Sequence, residues 1–341
     1  MHRPEPKGSH RGIRMRTVIA LLVLAVHCLA AGPPADEGAG GADALVFAYF
    51  SDETAGLRLA ISLDGLNWDT VNGGEPMLPK PFGPVFRDPA LARAPNGEIY
   101  MAWTTGWRDS LSMGFARTRD LIHWTSVREI PLMRNTPGAL NVWAPELFYD
   151  RAGHRWMAHW ASSVTGRFPE TRPPQPSYNN RMYCAFSGDD MEKLGPEQLL
   201  YDEGFIVNDA HLMETGDDPR GKYCLLVKKV ASQPRHGATV QIHLTFSDDV
   251  AGPYRITGGP ITGKYTFCEG PTVARIGGYY YCYFDLSHEH RIGGVRSPEL
   301  KADPWEDVTD QLTLPPYAKH GSVLPISGEL YERLRRYGIT R

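Results

Sequence analysis

The chain has 341 residues, with 36 Lys and Arg against 39 Asp and Glu and a formal net charge of −3. So balanced a charge gives no electrostatic basis for binding nucleic acid or an anionic membrane surface, and the length is ample for a large buried core. With 16 Tyr, 8 Trp, 35 Gly and 28 Pro, the composition favours many short strands parted by turns over long helices.

At the N-terminus, Arg11, Arg14 and Arg16 precede the apolar run from Val18 to Val26, and the small residues Ala30, Ala31 and Gly32 follow. This is the layout of an export signal. The run is shorter than the roughly 18 residues of a spanning helix, so no membrane span is expected. Residues 1–31 read as a signal peptide and the Gly/Ala-rich residues 32–44 as a flexible linker. Residues 45–341 read as one folded domain, secreted or periplasmic. Of the remaining cysteines, Cys184, Cys224, Cys268 and Cys282, no two have CxxC spacing, which weighs against zinc or thioredoxin-like chemistry. Buried thiols and disulfides both remain open for them.

Strand-like runs then recur. LVFAYF begins at Leu45, EIYMAWTT at Glu98, HRWMAHWA at His154, KYCLLVKK at Lys222 and YYYCYFDL at Tyr279. Each is followed by a second such run, giving five similar all-β units of roughly 55 residues, the signature of a propeller rather than a sandwich. Just before four of these runs stand the short segments FRDPAL, VWAPEL, VNDAHL and CEGPTV, and KHGSVL follows near the C-terminus. In a propeller the innermost strand of each blade lines the central channel, so equal phase predicts Asp88, Glu146, Asp209, Glu269 and His320 near one end of it. The first unit lacks such a strand upstream. SVLPIS, Ser322 to Ser327, can supply it and close the ring from both termini, with a short helix following from Gly328 to Ile339. The Pro-rich stretch from Val164 to Asn180 reads as a loop on the pocket rim.

Carboxyls converging without metal-ligand spacing suggest acid–base chemistry. Cleaving a glycosidic bond needs a carboxylic acid to protonate the leaving oxygen, and an inverting enzyme also needs a carboxylate to activate water. Asp-Pro in FRDPAL or Glu-Gly-Pro in CEGPTV alone is ordinary turn chemistry. The shared phase carries the signal.

FRDPAL, VWAPEL, NDAHL, CEGP and KHGSV, in this order and spacing, resemble glycoside hydrolase family 43 from about Ala44 to Arg341. The resemblance implies a five-bladed, inverting enzyme acting on α-L-arabinofuranosides or β-D-xylosides of plant polysaccharides. It implies Asp88 as the general base, Glu269 as the general acid, and Asp209 as the residue that raises and orients the acid. It places Glu146, where the family usually has Asp, at the wall of the sugar pocket. His320 would lie near the channel axis, touching a central water or a structural calcium ion, with no cofactor otherwise required. Arg291 would reach toward the sugar and the carboxylates. Ala210 stands where many members have Pro. Of the tryptophans able to stack on sugar rings, Trp143 is assigned to the pocket, and Trp103 and Trp160 to the core. The expected activity is exo-acting removal of terminal arabinofuranosyl or xylosyl units from an oligosaccharide or polysaccharide, by a monomer. The rivals are a propeller glycoside phosphorylase, which needs a basic cluster for phosphate, and a non-catalytic sugar-binding propeller.

Overall fold

The computed structural model describes residues 43–171, 178–188, 191–233 and 237–338. The export-signal reading of residues 1–31 and all but the end of the 32–44 linker lie outside the described residues. The described residues form a five-bladed β-propeller of antiparallel sheets. Blade I runs Lys319–Ile326, Ala44–Phe50, Gly56–Ser62 and Asp69–Thr70 from inside to outside, with Leu78–Pro79 as an added short strand. Blade II is Arg87–Arg93, Ile99–Thr104, Ser112–Thr118 and Trp124–Pro131. Blade III is Trp143–Asp150, Arg155–Ser162, Arg181–Ser187 and Gln198–Tyr201. Blade IV is Ile206–Glu214, Tyr223–Gln233, Gly237–Ser247 and Arg255–Ile256. Blade V is Glu269–Ile276, Tyr279–Leu286, Arg291–Ser297 and Glu306–Asp307.

The second strand of each blade is covered on both faces by its neighbours, so it reads as a continuous apolar run rather than an alternating one. Ala44–Phe50 and Ile99–Thr104 are buried throughout, whereas the outer strand Trp124–Pro131 is largely open. Five apolar layers fill the five gaps between blades. Phe50 and Leu59 meet Phe86 and Trp103 between blades I and II. Tyr100 and Phe115 meet Trp156 and Tyr183 between II and III, and Met157 and Cys184 meet Leu225 and Tyr254 between III and IV. Leu226 and Ile242 meet Cys282 and Phe284 between IV and V. Phe47 and Tyr49 meet Tyr281 and Tyr283 between V and I. This last layer closes the ring, and the C-terminal strand pairs with Ala44–Phe50 in one sheet, as the sequence implies.

Trp103 and Trp160 are core residues with no solvent exposure. Cys184, Cys224, Cys268 and Cys282 are buried free thiols, and burial pushes the Cys184 thiol up to about 11 and that of Cys268 up to about 12. The terminal helix spans Gly328–Arg336, with Ser327 accepting the Leu330 N–H as its N-cap. Tyr331 and Leu334 pack into the layer between blades I and II, so the helix covers one end of that layer. Truncating Leu334 removes fully buried apolar volume and is expected to cost about 2–5 kcal/mol. Urea titration should show a lower midpoint for Leu334→Ala and one near wild type for Leu334→Met.

Candidate active site

All five inner strands carry the same irregularity. In blade II, Arg87 pairs with Thr104 and Ala90 with Ala102, so two residues stand opposite one. The corresponding pairs are Trp143–Ala161 and Glu146–His159, Asn208–Lys228 and His211–Leu226, and Glu269–Asp285 and Thr272–Tyr283. In blade I they are Lys319–Phe50 and Ser322–Ala48. Such a β-bulge bends a strand and re-aims its side chains. The residue after the first paired one has positive φ in four blades: Asp88 at 53°, Ala144 at 43°, Asp209 at 52° and Gly270 at 58°. Non-glycine residues rarely adopt this region. His320 holds the same station in blade I.

The bulges sort the channel residues into rows. Arg87, Trp143, Asn208, Glu269 and Lys319 form the first. Asp88, Asp209 and His320 belong to the second, with Ala144 and Gly270. Glu146, His211, Thr272 and Ser322 lie deeper. The equal phase expected from sequence is therefore corrected. Glu269 stands one residue before the row of Asp88, Asp209 and His320, and Glu146 two residues beyond it, because the acidic residue falls at a different station of the bulge in those two blades.

Asp88 is buried and its Oδ1 lies 3.1 Å from His320 Nδ1, while Thr104 Oγ1 donates to its Oδ2 at 2.7 Å. Burial opposes the charge on Asp88, but the positive charges of His320 and Arg87 outweigh it, helped by the hydrogen bonds from His320 and Thr104. They hold the carboxyl well below the usual range. Burial likewise disfavours the His320 imidazolium, but the Asp88 charge and hydrogen bond overcome it and raise that ring to about 9. The His320 ring fits only because residue 270 is glycine: a Cβ there would overlap the ring, and the backbone already has positive φ.

On the other side of the channel, Lys228 Nζ lies 2.5 Å from Asp209 Oδ2 and 3.0 Å from Glu269 Oε1. Asn208 Nδ2 and the Gly270 N–H also donate to Asp209. Lys228 is 4% exposed. Burial works against its charge, but Asp209 and Glu269 outweigh that and raise it. The Glu269 side chain is 33% exposed against 7% for Asp88 and 8% for Asp209, so Glu269 is the carboxyl of the three most open to the channel mouth. Asp285, opposite Glu269, accepts the His320 N–H and is raised, chiefly by burial.

Deeper in, Glu146 Oε2 lies 3.0 Å from His211 Nδ1 and 3.8 Å from His159 Nε2. Burial lowers His159 to about 4 despite the Glu146 charge, so that ring stays neutral. Trp143 Nε1 donates to the Trp107 carbonyl. Its ring meets Trp107 edge-on and lies 4.1 Å from the Tyr178 ring centroid. Trp107, 45% exposed, also lies under the Arg87 guanidinium at 4.4 Å. Tyr178 belongs to the expected rim loop, of which residues 172–177 lie outside the described residues.

Arg291 does not reach the carboxylates through any of its hydrogen bonds or ion pairs. It is the first residue of the third strand of blade V, pairs with Leu286, and is held by Glu289 at 2.8 Å and Asp310 at 3.0 Å. Arg87 is the guanidinium beside Asp88, at 3.9 Å, and is itself tied to Glu53 at 2.7 Å. His320 Nδ1 is committed to Asp88, and among the described residues no three His, Cys, Asp or Glu converge on a metal position.

Sequence reasoning did not find Thr104, Lys228, Asp285, His159 or His211 as parts of the site. For Lys228 the signal was weak, since it is one of two adjacent lysines that follow the apolar stretch CLLV in the KYCLLVKK run. For Thr104 there was none, since only its pairing opposite the bulge brings it to Asp88.

The chain is a five-bladed ring that brings carboxylates from several blades together in one channel. Residues 42–332 match the family described as "Probable glycosyl hydrolase domain", related to glycoside hydrolase family 43, and the chain belongs to it. An endo-1,4-β-xylanase from Bacteroides thetaiotaomicron VPI-5482 is 12% identical with a TM-score of 0.52, over 75% of this chain and 89% of that one. An α-L-arabinofuranosidase from Lactobacillus brevis is 17% identical with a TM-score of 0.49, over 64% and 71%. A thermostable family-43 glycoside hydrolase is 16% identical with a TM-score of 0.49, over 67% and 74%. At these identities the likeness concerns the fold alone. No curated protein matches the sequence.

Two predictions follow from the Asp88–His320 pair. Because His320 is raised from 6.5 to about 9, its contribution to stability is complete below pH 6.5 and lost as pH rises toward about 9. The urea midpoint of the wild type should fall across that interval, and His320→Gln should flatten the fall. Gly270→Ala should displace the His320 ring and lower kcat/KM about 100-fold, measured on any substrate the enzyme turns over.

Proposed function

We propose that the protein is an exported, inverting, exo-acting glycoside hydrolase that removes terminal arabinofuranosyl or xylosyl units from plant-type oligosaccharides or polysaccharides. One observation carries this reading. The bulges bring together carboxylates in different electrostatic settings, Asp88 held ionised beside His320, and Glu269 more exposed at the mouth beside Asp209 and Lys228. An ionised carboxylate suits the removal of a proton from water, and a carboxyl open to the channel mouth suits delivery of a proton to a departing oxygen.

In the proposed reaction the glycosidic oxygen faces Glu269. Its proton passes to that oxygen as the anomeric C–O bond breaks, and the bonding electrons leave with the oxygen. Water adds to the anomeric carbon from the opposite face and gives its proton to Asp88. A proton returned through solvent from Asp88 to Glu269 restores the site. Glu146 and His211 would bind hydroxyls deeper in the channel, and Trp143 with Tyr178 would offer an aromatic wall to the sugar at the mouth. A ring of carboxylates gathered within a central channel suits a chain end better than a mid-chain unit.

Hydrolysis is favoured over phosphorolysis because the two arginines that could hold phosphate, Arg87 and Arg291, are committed to Glu53, and to Glu289 and Asp310. A non-catalytic binder has no need of carboxylates in two such different settings.

The test is a panel of aryl α-L-arabinofuranosides and β-D-xylosides, with the first-formed anomer followed by NMR. An inverted anomer is expected; a retained one contradicts the mechanism. Glu269→Gln, assayed on a methyl glycoside whose leaving group needs a proton, and Asp88→Asn should each lose about 10²–10⁴-fold in kcat, and unchanged turnover in either removes the role assigned to that residue.

A further inference from the structure

Three blades place a polar residue at one shared station, on the second strand opposite the first residue of the bulge: Thr104, Lys228 and Asp285. Each reaches the bulge of the following blade. Thr104 Oγ1 accepts the Ala144 N–H while donating to Asp88 in its own blade. Asp285 accepts the His320 N–H. Lys228 follows the same plan with a full charge, donating to Asp209 in its own blade and to Glu269 in the next. The neutral tie at Thr104 suffices to join two blades, so joining blades does not by itself require a buried cation, which is expensive to desolvate. What distinguishes Lys228 is that its contact across the blades is Glu269 itself.

We propose that Lys228 is a positioning residue for proton donation, holding the Glu269 carboxyl in place and taking up the negative charge that Glu269 acquires as its proton passes to the leaving oxygen. The proposal rests on Glu269 being the general acid. Before transfer, protonated Glu269 is neutral, and Lys228 is balanced by Asp209. During transfer the Glu269 O–H bond breaks, its electron pair stays on the carboxylate, and a fixed ammonium lies 3.0 Å from the oxygen Oε1. No reorganisation is needed to meet that charge, which is the condition under which a buried charge aids a transition state most. Of the other charged groups of this region, Arg87 is tied to Glu53 and Lys319 acts on Asp285. His320 is paired with Asp88, and Asp285, opposite Glu269, receives the His320 N–H. Raised by its two carboxylates against the effect of burial, Lys228 remains an ammonium throughout.

A leaving group that needs no proton separates this role from a structural one. Lys228→Met, Lys228→Gln and Lys228→Arg would be assayed on 2,4-dinitrophenyl and on methyl α-L-arabinofuranosides and β-D-xylosides, with Glu269→Ala as reference and thermal unfolding to establish that each variant is folded. Lys228→Met should lose about tenfold or more on the methyl glycoside and stay within about threefold on the dinitrophenyl one. The alkaline limb of its kcat/KM profile should move to higher pH, and Lys228→Arg should recover most of the loss. Lys228→Gln should share the Lys228→Met pattern and serves in its place if Met disrupts folding. Equal losses on both substrates, alongside a selective Glu269→Ala, would overturn the role of Lys228. A Glu269→Ala variant that loses equally on both would overturn the acid assignment itself, and the proposal with it.

Discussion

Charge buried away from water must be paired, and the centre of this propeller is arranged around that constraint. Asp88 is tied to His320 on one side, and Lys228 joins Asp209 to Glu269 on the other. Both ties cross blade boundaries: the first forms only once the C-terminal strand has paired with Ala44–Phe50, and the second once blades IV and V have packed together. The electrostatics of the site and the integrity of the fold are therefore the same set of contacts seen at two scales.

Closure has a direct chemical consequence. His320 lies on the C-terminal strand, which pairs with Ala44–Phe50 at the other end of the folded domain and also receives the Leu91 N–H on Ser322 Oγ. Asp88, near the start of the domain, thus takes its counter-ion from near its end. The five bulges make this compatible with regular blades. Each blade keeps a paired sheet for its apolar layers and turns two residues of its inner strand out of register only where the channel needs them. Gly270 shows how tight the arrangement is, since the His320 ring occupies the space a side chain there would fill.

Much of this was legible in the sequence. The repeat of apolar runs marks five blades, and the acidic segments keep phase with it because every blade presents its inner strand in the same way. What periodicity could not show is the station each residue takes within the bulge, because that depends on backbone pairing. Glu269 and Glu146 accordingly fell in rows other than that of Asp88. Lys228 was hidden for a different reason. A lysine in an apolar run looks like a strand end until its carboxylate partners, 19 and 41 residues away in the chain, are brought to it. Arg291 shows the reverse case, an arginine in a suggestive motif that pairs with its near neighbour Glu289 and with Asp310 at the surface. The four cysteines, undecided from spacing alone, are thiols within the apolar layers between blades.

The proposed reaction depends most on Asp88 delivering water to one face of the sugar while the proton comes from the other. Rescue of Asp88→Gly by azide tests this directly, since a small anion admitted into the vacated space can attack in place of activated water. The predicted result is turnover restored by azide on an activated aryl glycoside, with a glycosyl azide of inverted configuration as product. No rescue, or a glycosyl azide of retained configuration, would contradict it.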